Sequence, residues 1–89
     1  MFEVEWLQSA VDELTRIWTA ADSALRQDIT AASNQIDQQL ENNPHGAGES
    51  RPGGRRILFV FPLGVVFRVE PDDKTVTVLG VWLVRRTAP

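Results

Sequence analysis

Residues 54–82 read GRRILFVFPLGVVFRVEPDDKTVTVLGVW, and this run decides the fold. Branched and aromatic side chains are dense in three segments, Arg56–Phe61, Val65–Glu70 and Thr75–Val84, as is typical of β-strands. The letters PLG at 62–64 and PDDK at 71–74 separate the segments with turn-forming sequence. Three strands joined by short turns predict an antiparallel meander whose apolar face must be covered by other elements.

Alternation along the last strand predicts which side chains share a face. One face is expected to carry Val76, Val78, Trp82 and Val84. The other is expected to carry Thr75, Thr77, Leu79, Val81 and Leu83.

The N-terminal half supplies the cover for the sheet. Residues 2–6 alternate apolar and acidic side chains, which predicts a short, half-buried strand. Apolar residues then recur at spacings of three and four, as in an amphipathic helix. One continuous helix of about 30 residues would be roughly 45 Å long, which is out of proportion for a domain of this size. We therefore favour two helices near 9–20 and 23–41, with Ser9 as the candidate N-cap of the first and Asp22 or Ser23 of the second.

The segment 42–54 is rich in glycine and proline and contains no strong hydrophobe, so it is predicted to be a flexible, structureless link. The element order is then β-α-α-β-β-β. We predict one α+β domain over residues 1–89, with a helical hairpin packed on one face of an antiparallel sheet.

Composition excludes several classes of site. The chain has 89 residues, no cysteine and one histidine, which argues against disulfides, thiolate chemistry and multi-histidine metal centres. We expect no cofactor and no metal. The acidic start MFEVEW and the absence of a long apolar run predict a cytoplasmic protein without a membrane partner.

Charge is divided unevenly along the chain. Residues 1–50 hold two basic and nine acidic side chains (2 − 9 = −7), and residues 51–89 hold seven basic and three acidic ones (7 − 3 = +4). The basic half is a candidate surface for an anionic partner, although solvated surface charge explains the same pattern.

The order and spacing of these features resemble the RelE/ParE superfamily, the toxins of bacterial type II toxin–antitoxin modules. The resemblance is carried by the opening VEW, by ALRQDITAASNQIDQQLENNP at 24–44, by the Gly-rich link and by the run 54–82. It implies a cognate antitoxin as partner. It also implies one of two targets, because RelE-like members cut mRNA in the ribosomal A site and ParE-like members poison DNA gyrase.

RNA cleavage by a 2′-hydroxyl needs a general base, a general acid and cations for the pentavalent phosphate. The resemblance makes Glu49 the candidate base, with Arg68 and Arg85 as further candidate catalytic residues. The sequence departs from the family nucleases at Gly64, where they carry an arginine, and in the final strand, where they carry arginine and later histidine or tyrosine. A solvated loop carboxylate is the alternative for Glu49, and a solvent-exposed loop residue is expected for His45.

Basic residues near the strands are the candidate nucleic-acid contacts, because arginine binds phosphate in a bidentate manner. The alternative is that they form ion pairs with an antitoxin or with the protein's own helices. Trp82 is a candidate for base stacking, with core packing as its alternative. The candidates are Arg51, Arg55, Arg56, Arg86 and Trp82.

Two hypotheses follow. The first is a toxin of the RelE-type mRNA endoribonuclease lineage that acts on the ribosome and its mRNA with an incomplete catalytic set, so enzymatic activity stays uncertain. The second is a non-enzymatic binder, either a ParE-like gyrase inhibitor or a degenerate toxin retained for its protein partner.

Overall fold

The computed structural model describes residues 1–84 and contains two helices and five strands. The candidates Arg85 and Arg86 lie outside the described residues. Neither helix is long and apolar enough to cross a bilayer in this part of the chain. The elements are β1 (Glu3–Trp6), α1 (Gln8–Ala20), α2 (Ser23–Asn42), β2 (Glu49–Arg51), β3 (Arg55–Val60), β4 (Leu63–Val69) and β5 (Thr75–Leu83).

The five strands form one sheet in the order β1-β5-β4-β3-β2. The predicted meander of β3, β4 and β5 is antiparallel, and the predicted α+β fold is confirmed. The sheet is nevertheless mixed, because β1 runs parallel to β5. A parallel pair needs a long crossover connection. Here both helices and the strands β2, β3 and β4 lie between β1 and β5 in sequence.

The helical hairpin is confirmed, with helices close to the predicted bounds. Asp22 caps α2, since its Oδ1 accepts a hydrogen bond from the Leu25 backbone N–H at 2.9 Å. The prediction that Ser9 caps α1 is wrong. The carbonyl of Leu7 accepts from the backbone N–H groups of Ala10 and Val11 at 2.9 and 3.0 Å, so the helix begins before Ser9.

The core lies between the helices and one face of the sheet, which we call the inner face. Apolar residues at a spacing of three to four in α2 meet every second residue of β4 and β5. The fully buried members on these elements are Ile29, Ile36, Leu40, Leu63, Val65, Phe67, Val76 and Val78.

A β-bulge in β5 changes the predicted assignment of its faces. Val66 pairs with Gly80 but Phe67 pairs with Val78, so Leu79 is an extra residue in β5. Alternation is reset at this point. Val81 is therefore buried, and Trp82 lies on the opposite, exposed face, whereas strict alternation placed it with Val76 and Val78.

The segment predicted as a structureless link contains strand β2, which pairs with β3 in antiparallel register. Pro44 and Ala47 are buried, which attaches the start of this segment to the core. The side chain of Arg56 donates to the carbonyls of Ala47 and Gly48 at 2.9 and 3.2 Å. These contacts hold the segment against β3.

Candidate functional site

The face of the sheet that the helices leave uncovered, here called the outer face, brings most of the candidate residues together. A row of three arginines crosses three strands, because Arg51 pairs with Arg55 and Arg55 pairs with Arg68. Cross-strand neighbours on one face lie about 4.5–5.5 Å apart at Cβ. Like charges so close repel one another, so the row lowers the stability of the fold. The packing of the core does not require these arginines.

Two of the three arginines are compensated by carboxylates. Arg51 Nη1 lies 3.2 Å from Glu49 Oε2, and Arg68 Nε donates to Glu70 Oε1 at 2.9 Å. The side chain of Arg55 is exposed, and its guanidinium forms no hydrogen bond or ion pair with any residue in 1–84. It is therefore the uncompensated cation of the row.

Glu49, the candidate general base, lies on edge strand β2 opposite Ile57. It shares the outer face with the arginine row, as a phosphate-cleaving site would require. However, its carboxylate is engaged by Arg51, and the sequence contains no tyrosine to act as an acid. Among residues 1–84 no cluster of three or more histidine, cysteine, aspartate or glutamate side chains could hold a metal ion.

An aromatic pair occupies the other end of the outer face. Phe59 on β3 and Trp82 on β5 both lie opposite Gly64 on β4, and their rings meet edge to face with centroids 6.0 Å apart. The indole lies over Gly64, since a Cβ built there would be 2.6 Å from Trp82 Cε2. No side chain larger than hydrogen fits at residue 64 unless Trp82 moves. Phe61, half exposed, follows at the end of β3.

The structure separates Arg56 from the other candidates. It pairs with Phe67 on the inner side of the sheet, and its guanidinium is committed to two backbone carbonyls. Arg56 therefore does not share the outer face with the arginine row.

His45 lies in the segment between α2 and β2. Its Nε2 is 2.6 Å from Asp73 Oδ1, and its ring meets Phe2 edge to face at 5.8 Å. It thus connects this segment to the β4–β5 turn and is not part of the arginine row.

Sequence reasoning missed the aromatic pair and the part that Gly64 has in it. Unbroken alternation along the last strand places Trp82 with Val76 and Val78, away from the outer face. The available signal was the glycine itself, because glycine within a strand often marks close approach of another group.

No protein-family model and no curated protein sequence match the chain. Solved structures do resemble it over nearly its whole length. One is the chromosomal ParDE TA system from P. aeruginosa, with 22% identity over 96% of this chain and 98% of that chain and a TM-score of 0.73. A second is the isolated E. coli RelE toxin, at 16% identity over 98% and 88% of the two chains and a TM-score of 0.63. A third is a YoeB/ParE toxin from Agrobacterium tumefaciens, at 19% identity over 94% and 100% and a TM-score of 0.64. The chain therefore has the RelE/ParE toxin fold.

Proposed function

We propose that this protein is a toxin-like component of a type II toxin–antitoxin module, with a cognate antitoxin as partner. The proposal is supported by the likeness to ParDE, RelE and YoeB/ParE structures, which extends over more than nine-tenths of this chain. It is also supported by an outer face whose arginines and exposed aromatics are not needed for the core.

Of the two activities considered, the geometry favours non-enzymatic binding to a protein target, with gyrase as the first target to test. One observation carries this choice. Gly64 stands where the resemblance expects a catalytic arginine, and the Trp82 indole fills the space that such a side chain would need. Binding requires only a complementary surface, whereas phosphate cleavage requires an acid, a base and cations in fixed positions.

A RelE-type mRNA endoribonuclease is the second candidate, because Glu49 and three arginines share the outer face. In that case Glu49 acts as the base for the 2′-hydroxyl, and Arg55 and Arg68 stabilise the charge on the phosphate. Arg85 would have to complete the set.

A translation reaction with purified protein, read as mRNA integrity at codon resolution, separates the two candidates. We expect intact mRNA and normal protein synthesis, together with inhibition of gyrase supercoiling in a parallel reaction. In-frame cuts that require ribosomes and disappear in Glu49→Gln would establish the endoribonuclease instead.

The same protein should arrest bacterial growth on expression, and loss of that arrest on co-expression of the antitoxin would support the module. No arrest under any condition would contradict a toxin.

A further inference from the structure

The outer face has the composition of a protein-binding surface. Phe59 and Phe61 are 58% and 50% exposed, and Trp82 is 36% exposed. Large aromatic side chains and arginine are enriched in the buried centres of protein interfaces and among the residues that dominate binding energy. A stable sheet face does not need exposed aromatics, since antiparallel sheets tolerate a polar outer face.

The charge pattern selects among possible occupants. Glu49 and Glu70 lie beside Arg51 and Arg68, and Glu5 is exposed on β1 opposite Thr77, which in turn lies opposite Arg68. A polyanion such as RNA would bring phosphates against these carboxylates. A protein segment with a single carboxylate would instead meet Arg55, the uncompensated cation of the arginine row.

The spacing between the charge and the aromatics gives the proposed partner a geometry. Arg55 and Phe59 are four residues apart on β3, which corresponds to about 13 Å along the strand. Between them the cross-strand pair Ile57 and Val66 is half-buried and apolar. An occupant must therefore place a carboxylate at one end and an apolar side chain at the other.

We propose that the outer face binds a protein segment that carries a carboxylate for Arg55 and an apolar anchor for the Phe59–Trp82 pair. In an extended segment these two side chains are four residues apart, because the segment then has the same rise per residue as β3. This inference rests on the proposed function, since it assigns the surface through which a non-enzymatic toxin-like protein meets its protein partner.

The test is a titration of the full-length protein, followed by backbone-amide NMR shifts and tryptophan fluorescence, with two probes. One is a ten-residue linear peptide with glutamate and leucine four residues apart, which is too short to be stably helical in water. The other is a ten-nucleotide oligouridine. We expect shifts along β3 to β5 with the peptide, and an affinity that falls about tenfold when the peptide glutamate is replaced by glutamine.

Variants of the protein locate the surface. Arg55→Glu and Phe59→Ser should each lower peptide affinity about tenfold or more, as expected for residues at the centre of an interface. Both side chains are exposed, so both variants should fold, and thermal melts check this. As a control, Val11→Ser removes an exposed apolar residue on α1 and should leave the affinity unchanged.

The outcomes separate this inference from the proposed function. No peptide binding, binding insensitive to Arg55→Glu and Phe59→Ser, or preferential oligouridine binding that weakens steeply with salt would overturn the protein-docking surface. If the peptide binds but neither growth, translation nor supercoiling responds to the protein, the surface is retained and the proposed function fails. If supercoiling is inhibited equally by wild type and both outer-face variants, the proposed function is retained and this surface is wrong.

Discussion

The two faces of the same strands are built for different tasks. On the inner face Leu63, Val65 and Phe67 of β4 are fully buried under the helices. On the outer face, Phe59 and Arg55 of the neighbouring strand β3 are exposed. Since successive side chains in a strand point to opposite faces, residues one position apart experience either a close-packed core or water. We infer that stability is concentrated on the inner face and recognition on the outer face, and that mutations can separate the two.

The largest expected effect comes from the inner face. Phe67→Ala should lower the free energy of unfolding by about 3–5 kcal/mol, because it removes a fully buried ring and leaves a cavity. Phe59→Ala, the same substitution on the outer face, should cost about 1 kcal/mol or less, since that ring is already mostly in water. Urea denaturation of both variants measures the difference. Equal losses in the two variants would contradict the division of tasks between the faces.

A second effect is expected on the outer face, at Gly64. Gly64→Ala should destabilise the protein by about 1–3 kcal/mol, because the new Cβ would be 2.6 Å from the Trp82 indole and must displace it. The displaced indole should also change the tryptophan emission. The measurement is the urea midpoint of the variant together with its fluorescence spectrum.

The control for this prediction is the same substitution in a Trp82→Ala background. With the indole gone, Gly64→Ala should cost little, and the coupling energy between the two sites should account for most of the original loss. A cost that is identical in both backgrounds would mean that the indole does not occupy the space above residue 64.

The helices and the three-strand meander could be predicted from the sequence because hydrophobic periodicity is a strong local signal. The bulge could not, because the extra residue Leu79 is apolar like its neighbours and alternation gives no indication of it. That one insertion moves Trp82 from the predicted core face to the outer face. The parallel pairing of β1 with β5 was likewise missed, because strand direction depends on the path of the helices rather than on the strand's own four residues.

For the candidate site, the sequence pattern predicts only part of where the residues lie. The sequence places the candidate arginines near the strands, and the register brings Arg55 and Arg68 directly opposite each other. Arg55 and Arg56 are both among the candidate contacts in the sequence, although they are adjacent. A period of two should have separated these neighbours, and the structure places Arg56 on the inner side with its guanidinium bound to backbone carbonyls. The acidic neighbours of Arg51 and Arg68 were visible in the sequence, but their pairing depends on rotamers that pattern alone does not specify.

A smaller effect, of opposite sign, tests whether the arginine row on the outer face destabilises the protein. Arg55→Gln should raise the free energy of unfolding by about 0.2–1 kcal/mol at low salt, because it removes the cation between Arg51 and Arg68. The gain should shrink as salt screens the repulsion. Denaturant melts at low and high salt measure it. Arg16→Gln is the matched control and should be neutral or slightly destabilising, since Arg16 is paired with Glu13; a loss of stability in Arg55→Gln would show that the row is not repulsive.

The smallest effect lies in the β4–β5 turn, which belongs to neither face. The backbone N–H of Lys74, at 2.8 Å, lowers the pKa of Asp72 below its ordinary value of 3.8, and the N–H and hydroxyl of Thr75 add to this. Because the folded-state pKa is lowered, the carboxylate stabilises the turn above pH 3.8, and this contribution is lost as the pH falls through the lowered value. Asp72→Asn should therefore be slightly less stable than wild type at neutral pH, and the two should converge in acid. Asp28→Asn, at an exposed carboxylate on α2, corrects for the loss of one negative charge. A stability gap that stays constant across the acid range in urea melts would mean that the turn does not depend on the ionised side chain, and that its register is held by the pairing of β4 with β5 alone.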